Sequence, residues 1–104
     1  MKTTKESIIA YLESIKDEFI KKGISHIALF GSFAKMQNGV YSDIDIAIKK
    51  PSDYFDKYSA YDYFETIKEL KSKLRKKFHR NVDILDLDST SPYIESIKKE
   101  MINV

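Results

Sequence analysis

Residues 31–45 read Gly-Ser-Phe-Ala-Lys-Met-Gln-Asn-Gly-Val-Tyr-Ser-Asp-Ile-Asp. The pair Gly31-Ser32 ends an apolar run over residues 25–30, and ten residues later Asp43 and Asp45 open a second apolar run. Side chains alternate between the two faces of a strand, so these aspartates share one face and the isoleucines that follow each of them occupy the other. The stretch therefore predicts two carboxylates on one strand face beside a glycine-serine turn.

A third carboxylate, Asp83, lies within the apolar run of residues 81–87. An acid among apolar neighbours requires a partner, because burying an unpaired charge is unfavourable. If this strand lies beside the strand of residues 43–49, the three carboxylates share a face and repel one another without a cation. Alternatively, the acids simply face solvent, which is how we interpret Asp86 and Asp88.

Magnesium prefers oxygen ligands, usually one or two carboxylates together with substrate phosphates and water. Strand residues two apart have Cα atoms roughly 6.5–7 Å apart. Asp43 and Asp45 can therefore converge on one ion or hold a pair of ions. The acids predict a magnesium site that includes Asp83.

The turn after the first strand suits a phosphate group, because a strand that enters a helix presents free backbone N–H groups. Gly31 allows close approach, and the Ser32 hydroxyl can donate to a phosphate oxygen. Ser32 is also predicted to cap a short helix over residues 33–37, with Lys35 one turn along and within reach of a triphosphate. An ordinary helix cap and a solvated lysine are the alternatives.

Hydrophobic periodicity sets the remaining elements. Thr3 and Glu6 have capping-box spacing for the first helix, and Gly23 is its predicted stop. The predicted helices cover residues 4–22, 33–37, 60–78 and 92–102, and the predicted strands cover residues 25–30, 43–49 and 81–87. This order predicts an α+β fold in which helices pack on a small mixed sheet of three to four strands.

Composition narrows the classes of function. A length of 104 residues predicts a single domain over residues 1–104, short enough to gain stability from self-association or a partner. The absence of cysteine excludes disulfides, zinc-thiolate sites and a cysteine nucleophile. No apolar run approaches the ~20 residues that cross a bilayer, and no signal peptide is evident, so we expect a cytoplasmic protein without a membrane partner. A net charge of +2 makes nucleic acid an unlikely partner.

The Gly31-Ser32 pair, the ten-residue gap, Asp43-x-Asp45 and the distant Asp83 resemble the polymerase-β-like nucleotidyltransferase superfamily. The length is similar to that of its minimal nucleotidyltransferases (MNT), the antitoxins paired with HEPN-domain toxins. The resemblance implies that the three aspartates are catalytic and bind two Mg²⁺ ions. It also implies that Gly31, Ser32 and Lys35 bind ATP. The implied reaction transfers AMP to a hydroxyl, with a tyrosine of a cognate HEPN toxin as the acceptor.

The sequence departs from that family pattern at two positions. Met36 stands where relatives commonly have glycine, and it can narrow the approach of phosphate or merely pack. Phe33 stands where relatives often have arginine. These departures support an alternative function, that of a catalytically weak or inactive antitoxin which neutralises its partner by binding.

Two further surfaces have competing interpretations. The basic run of residues 71–80 can contact a protein partner or nucleic acid, but a solvated helix face is the preferred interpretation, with a partner surface next. Among the clustered tyrosines, Tyr54 or Tyr58 is the candidate to stack on adenine or to contact a partner. Tyr61 is predicted to be structural, partly in the core and partly at the surface.

Overall fold

The computed structural model describes residues 2–104. Nine elements follow one another in this range, at these bounds: α1 (Lys5–Lys21), β1 (His26–Phe30), α2 (Gly31–Ala34), β2 (Ile44–Lys49), α3 (Tyr54–Lys57), α4 (Ala60–Phe78), β3 (Val82–Asp86), α5 (Ile94–Glu100) and β4 (Ile102–Asn103). None of the helices described is long and apolar enough to cross a membrane.

The four strands form one mixed sheet in the order β3-β2-β1-β4. β1 is antiparallel to both β2 and β4, whereas β2 and β3 are parallel and joined through α3 and α4. The predicted α+β fold with a mixed sheet is confirmed. The register sets Asp45 opposite Phe30 on one side and opposite Asp83 on the other.

The edge strand β4 was not predicted. The last helix ends at Glu100 rather than at 102, and Ile102 and Asn103 pair with β1. Two residues are too few to show the alternation that identifies a strand, so the sequence carried no periodic signal for it.

The first helix starts later than predicted. Thr4, not Thr3, is its N-cap: the Thr4 hydroxyl accepts from the Ser7 backbone N–H at 3.1 Å, and the Ser7 hydroxyl accepts from the Thr4 N–H at 2.9 Å. A serine hydroxyl therefore takes the role that the prediction gave to Glu6. Gly23 follows the helix with φ of +100°, which agrees with the predicted stop.

Each face of the sheet has its own apolar layer. The isoleucines of β2 pack with α1 and α4 in the larger cluster. On the opposite face the small side chains Ala28 and Ala47 pack with Leu87, Ile94 and Ile97, the last two from α5. Asp45 lies on this second face, in strand alternation with Ala47.

The second long helix has the predicted bounds, but its inward face is displaced in the first turns. Tyr61 and Phe64 are 71% and 68% exposed, contrary to the predicted apolar face. Tyr63 makes the inward contact instead, with its ring 5.8 Å from that of Tyr54. Tyr54 itself is 1% exposed and stacks on Tyr58 at 4.8 Å, so it is a core residue rather than a surface for adenine or a partner.

Candidate active site

The glycine-serine turn brings the backbone against a carboxylate. α2 begins at Gly31, where φ is +76°, and a Cβ added there would lie 2.9 Å from the Asp45 Cγ and closer still to the Oδ2 atom. Glycine is the residue without a Cβ and with ready access to this backbone region. The Asp45 carboxylate on β2 thus occupies the space that a side chain at the end of β1 would need.

The predicted cap at Ser32 is wrong. α2 spans Gly31–Ala34 rather than 33–37, its N-cap is Phe30, and no side chain caps it. Because the positive φ of Gly31 turns the chain directly from the strand into the helix, Ser32 lies inside the helix. Its hydroxyl is free of a capping role, and its side chain is half-buried.

The three predicted aspartates lie close together. Asp45 and Asp83 are register partners on the adjacent strands β2 and β3, and Asp43 comes just before β2. Burial, followed by the negative charges of Asp83 and Asp43, raises the pKa of Asp45 to about 6. Each charge influences Asp45, so the three carboxylates form one electrostatic cluster.

This cluster is not a preformed metal cage. Over residues 2–104, no three or more His, Asp or Glu side chains are already grouped to hold a metal ion. The donor set nevertheless fits Mg²⁺, which usually takes one or two carboxylates and completes its shell with phosphate oxygens and water. A divalent cation would also relieve the repulsion at Asp45.

Lys35 is paired elsewhere than predicted. Its Nζ lies 2.9 Å from Glu100 Oε2 at the end of α5, and both side chains are more than two-fifths exposed. An exposed pair of this kind is weak. Lys35 can therefore exchange Glu100 for a phosphate, but in the structure its charge is already matched.

Phe33 and Met36 have different surroundings. Phe33 is fully buried, and the Arg80 guanidinium carbon lies 5.1 Å from its ring centroid. Met36 is 69% exposed with φ of +59°, so it does not pack. The positive φ gives a physical reason for glycine at such a position.

Arg80 is a positioning residue that the sequence did not single out. Its Nη1 donates to the carbonyls of Val40 and Ser42 at 3.1 and 2.9 Å, which ties the segment before Asp43 to the end of α4. The contacts span 38 to 40 residues, so no local pattern could reveal them. The sequence grouped Arg80 with the other basic residues only.

Asp86 is not the solvated acid that was predicted. Its Oδ2 accepts from the Tyr63 hydroxyl and from Lys50 Nζ, each at 2.6 Å. Burial by itself raises the pKa of Asp86, but the hydrogen bonds from Lys50 and Tyr63 outweigh it and hold the pKa below its usual value. The ion pair of Asp86 with Lys50 links β3 to the residue after β2, and the hydrogen bond from Tyr63 links β3 to α4. Asp88 is more exposed and 3.6 Å from the same lysine.

Comparison with known proteins identifies the family. The model of the family described as polymerase beta, nucleotidyltransferase matches residues 13–103, and the chain belongs to that family. No curated protein gave a significant match.

Solved structures share the fold. A minimal nucleotidyltransferase superposes with a TM-score of 0.72 at 20% identity, covering 98% of this chain and 97% of that one. A toxin–antitoxin structure with AMP-PNP gives a TM-score of 0.61 at 25% identity, over 97% and 72% of the two chains. A mutant of the MntA–HpeT toxin–antitoxin pair gives 0.57 at 26% identity, over 99% and 72%.

Proposed function

We propose that the chain is a Mg²⁺-dependent nucleotidyltransferase that transfers AMP from ATP to a tyrosine hydroxyl of a cognate HEPN toxin, and so acts as an antitoxin. The observation that carries this proposal is the register of Asp45 with Asp83, together with the close fit of Gly31 to Asp45. This fit brings the Gly31-Ser32 turn, which we propose binds phosphate, and the carboxylates to the same end of β2.

Each residue has a distinct role in the proposed reaction. Asp43 and Asp45 would hold two Mg²⁺ ions, and Asp83 would complete the ligand set next to the acceptor. When bound, the metals stabilise charge on the attacking and leaving oxygens. The Gly31 N–H and the Ser32 hydroxyl are suited to hold the pyrophosphate. The acceptor hydroxyl, whose pKa a metal held by Asp83 would lower, loses its proton to water, and its oxygen attacks the α-phosphorus; the bond to the bridging oxygen breaks, and pyrophosphate leaves with the electron pair.

The antitoxin role draws support from structural similarity. Two of the similar structures are toxin–antitoxin structures, and one contains AMP-PNP, an ATP analogue. These structures support ATP as the nucleotide and a toxin as the partner. The HEPN class of the toxin and the tyrosine acceptor rest on the sequence resemblance.

A second function, neutralisation by binding alone, is favoured by the shortage of free positive charge near the turn. Phe33 replaces an arginine that relatives often carry, and Lys35 is paired with Glu100. Fewer cations are therefore ready to neutralise a triphosphate. An antitoxin with a slow or inactive site would still bind its toxin.

Incubation with α-³²P-labelled ATP, Mg²⁺ and the HEPN toxin separates the two functions. We expect label on the toxin with the wild-type chain and none with Asp43→Asn, while Asp88→Asn, a variant at an exposed acid, retains transfer. A stable complex with no label from the wild-type chain would instead establish neutralisation by binding.

A further inference from the structure

A wide groove runs between the outer face of α4 and the segment of residues 40–43. Its volume is about 860 Å³, and it opens at Asp43. Basic side chains line one wall, and the exposed Val40 and Tyr41 stand on the other. The basic residues are Lys68, Lys71, Arg75, Lys76, His79 and Arg80, of which Arg80 is already bonded to the carbonyls of Val40 and Ser42.

The cations of this wall are not engaged in ion pairs. Within residues 2–104, Lys68, Lys71, Arg75 and Lys76 form no salt bridge. Their neighbour Lys73 lies 3.6 Å from Glu18, outside the groove. In the described part of the chain, Asp43 is the single carboxylate that lines the groove. The basic wall therefore has positive charge available for an anionic ligand.

The spacing of these cations matches an extended ligand. They lie at positions 68, 71, 75 and 76 of α4, and the row from Lys68 to Lys76 is roughly 12 Å long at the rise of an α-helix. A row of this length can follow several successive phosphates, more than a single triphosphate requires.

An exposed aromatic ring completes the groove. The Tyr41 side chain is 95% exposed and lines the groove beside Asp43. Proteins that bind single-stranded nucleic acid without sequence preference combine a basic groove with aromatic side chains on which bases stack. An acidic protein surface would use the cations but would have no bases to stack on the ring.

We propose that this groove binds single-stranded nucleic acid, with phosphates along the α4 cations and a base stacked on Tyr41. The net charge of +2 predicted no such partner, but the local concentration of cations in one groove supplies what the overall charge does not. The proposal concerns binding only and is independent of nucleotidyl transfer, so each can fail without the other.

Fluorescence anisotropy tests the proposal with the full chain, without ATP or metal, and a fluorescein-labelled single-stranded RNA about a dozen nucleotides long. We expect affinity to fall steeply with salt. The variant Lys71→Gln/Lys76→Gln should bind on the order of tenfold more weakly, and its log–log salt slope should be shallower by about one unit. Tyr41→Ala should bind about fivefold more weakly.

Matched control variants distinguish binding in this groove from non-specific electrostatic attraction of RNA to other basic side chains. Lys98 and Lys99 are exposed on α5, which packs on the opposite face of the sheet, so Lys98→Gln/Lys99→Gln removes the same charge away from the groove. Tyr93→Ala removes another exposed ring. Both controls should bind RNA as the wild type does, and thermal melts should show all variants folded.

Three results would overturn the proposal. The first is equal loss of binding in the control and groove variants. The second is competition by polyglutamate as strong as that by unlabelled RNA, which would indicate an acidic protein surface as the ligand. The third is no dependence of affinity on RNA length together with full displacement by ATP, which would indicate a nucleotide pocket.

Discussion

At the scale of single residues, the close approach of Gly31 to Asp45 joins the glycine-serine turn to the carboxylate cluster. The glycine has a positive φ, and a Cβ would overlap the Asp45 carboxylate. Both features disfavour a Cβ atom at residue 31. A side chain there would strain the backbone and displace the Asp45 carboxylate.

Gly31→Ala should therefore destabilise the fold by about 2 kcal/mol or more, because left-handed backbone is unfavourable for alanine and the methyl group meets Asp45. It should also reduce transfer. Urea denaturation and label transfer measure the two effects. Gly39→Ala is the control, since a Cβ there would meet only Ser42 Oγ at 4.0 Å. Equal stability of the two variants would contradict this account of Gly31.

Met36 has an unfavourable backbone conformation, and its side chain makes no packing contact that would compensate for it. Its φ is +59° and its side chain is 69% exposed, so Met36→Gly should raise the free energy of unfolding by up to about 1 kcal/mol. Gln37→Gly, at the next exposed position, should lower it by roughly 0.5–1 kcal/mol through unfolded-state entropy. Chemical denaturation distinguishes the two. A destabilised Met36→Gly would show that the methionine side chain has a stabilising role.

The sequence identified Asp43, Asp45 and Asp83 as candidates because their spacing on apolar strands is a local property. It could not reveal that Asp86 is paired rather than solvated. The partners of Asp86 are Lys50 and Tyr63, 36 and 23 residues away. Residue type and strand position are visible in a sequence, but the identity of a distant partner is not.

At the scale of elements, Asp86 connects β3 to the end of β2 through its ion pair with Lys50, and to α4 through its hydrogen bond from Tyr63. The pKa of Asp86 is lower in the folded protein than in the unfolded chain, where it is about 3.9. The stabilisation that Asp86 provides is therefore present above about pH 3.9 and is lost as the pH falls through the folded-state pKa. Lys50 has a raised pKa, because its bond to Asp86 outweighs burial, so its contribution is lost at high pH.

We expect Asp86→Asn to lower the free energy of unfolding by roughly 1–2 kcal/mol near neutral pH, since it leaves the half-buried Lys50 with only the more distant carboxylate of Asp88, 3.6 Å away. The difference from wild type should shrink below about pH 4 and above about pH 10, where one partner loses its charge. Thermal melts across pH measure this. Asp88→Asn should change little, and a pH-independent difference would exclude the ion pair as the cause.

Arg80 connects the α4 terminus to the segment before Asp43. Arg80→Lys removes the stacking on Phe33 and one of two carbonyl contacts, and it should reduce stability by about 1 kcal/mol. It should also loosen residues 40–42, seen as faster amide exchange. The control Lys77→Arg, on the same helix terminus, should leave that exchange unchanged. Unaltered exchange in Arg80→Lys would contradict the positioning role.

The boundaries of an element were predicted more accurately where its local sequence pattern was stronger. α4, with its Ser59 cap and long apolar repeat, has the predicted bounds. α2 and β4, four and two residues long, were misplaced or missed because each covers only about one period of its pattern, too little for a repeat to be recognised. Their positions depend on the positive φ of Gly31 and on pairing with β1, which are tertiary features.

At the scale of the whole molecule, the mixed sheet brings two distant parts of the sequence to one place. The parallel pairing of β2 with β3 puts Asp83 beside Asp45, and the antiparallel pairing of β1 with β2 returns Gly31 to the same carboxylate. The fold class could be predicted from the order of helices and strands. The strand order and the groove along α4 could not, because they depend on how the elements assemble.

The central claim is that the three aspartates and the turn form one metal–nucleotide site. The most direct test is a titration with Mn²⁺, followed by electron paramagnetic resonance, in the presence of a non-hydrolysable ATP analogue. The account predicts that wild type binds Mn²⁺ more tightly with the analogue than without it. Asp45→Asn should bind it at least tenfold more weakly, and Asp88→Asn should match wild type. Unchanged Mn²⁺ affinity in folded Asp45→Asn would contradict the claim.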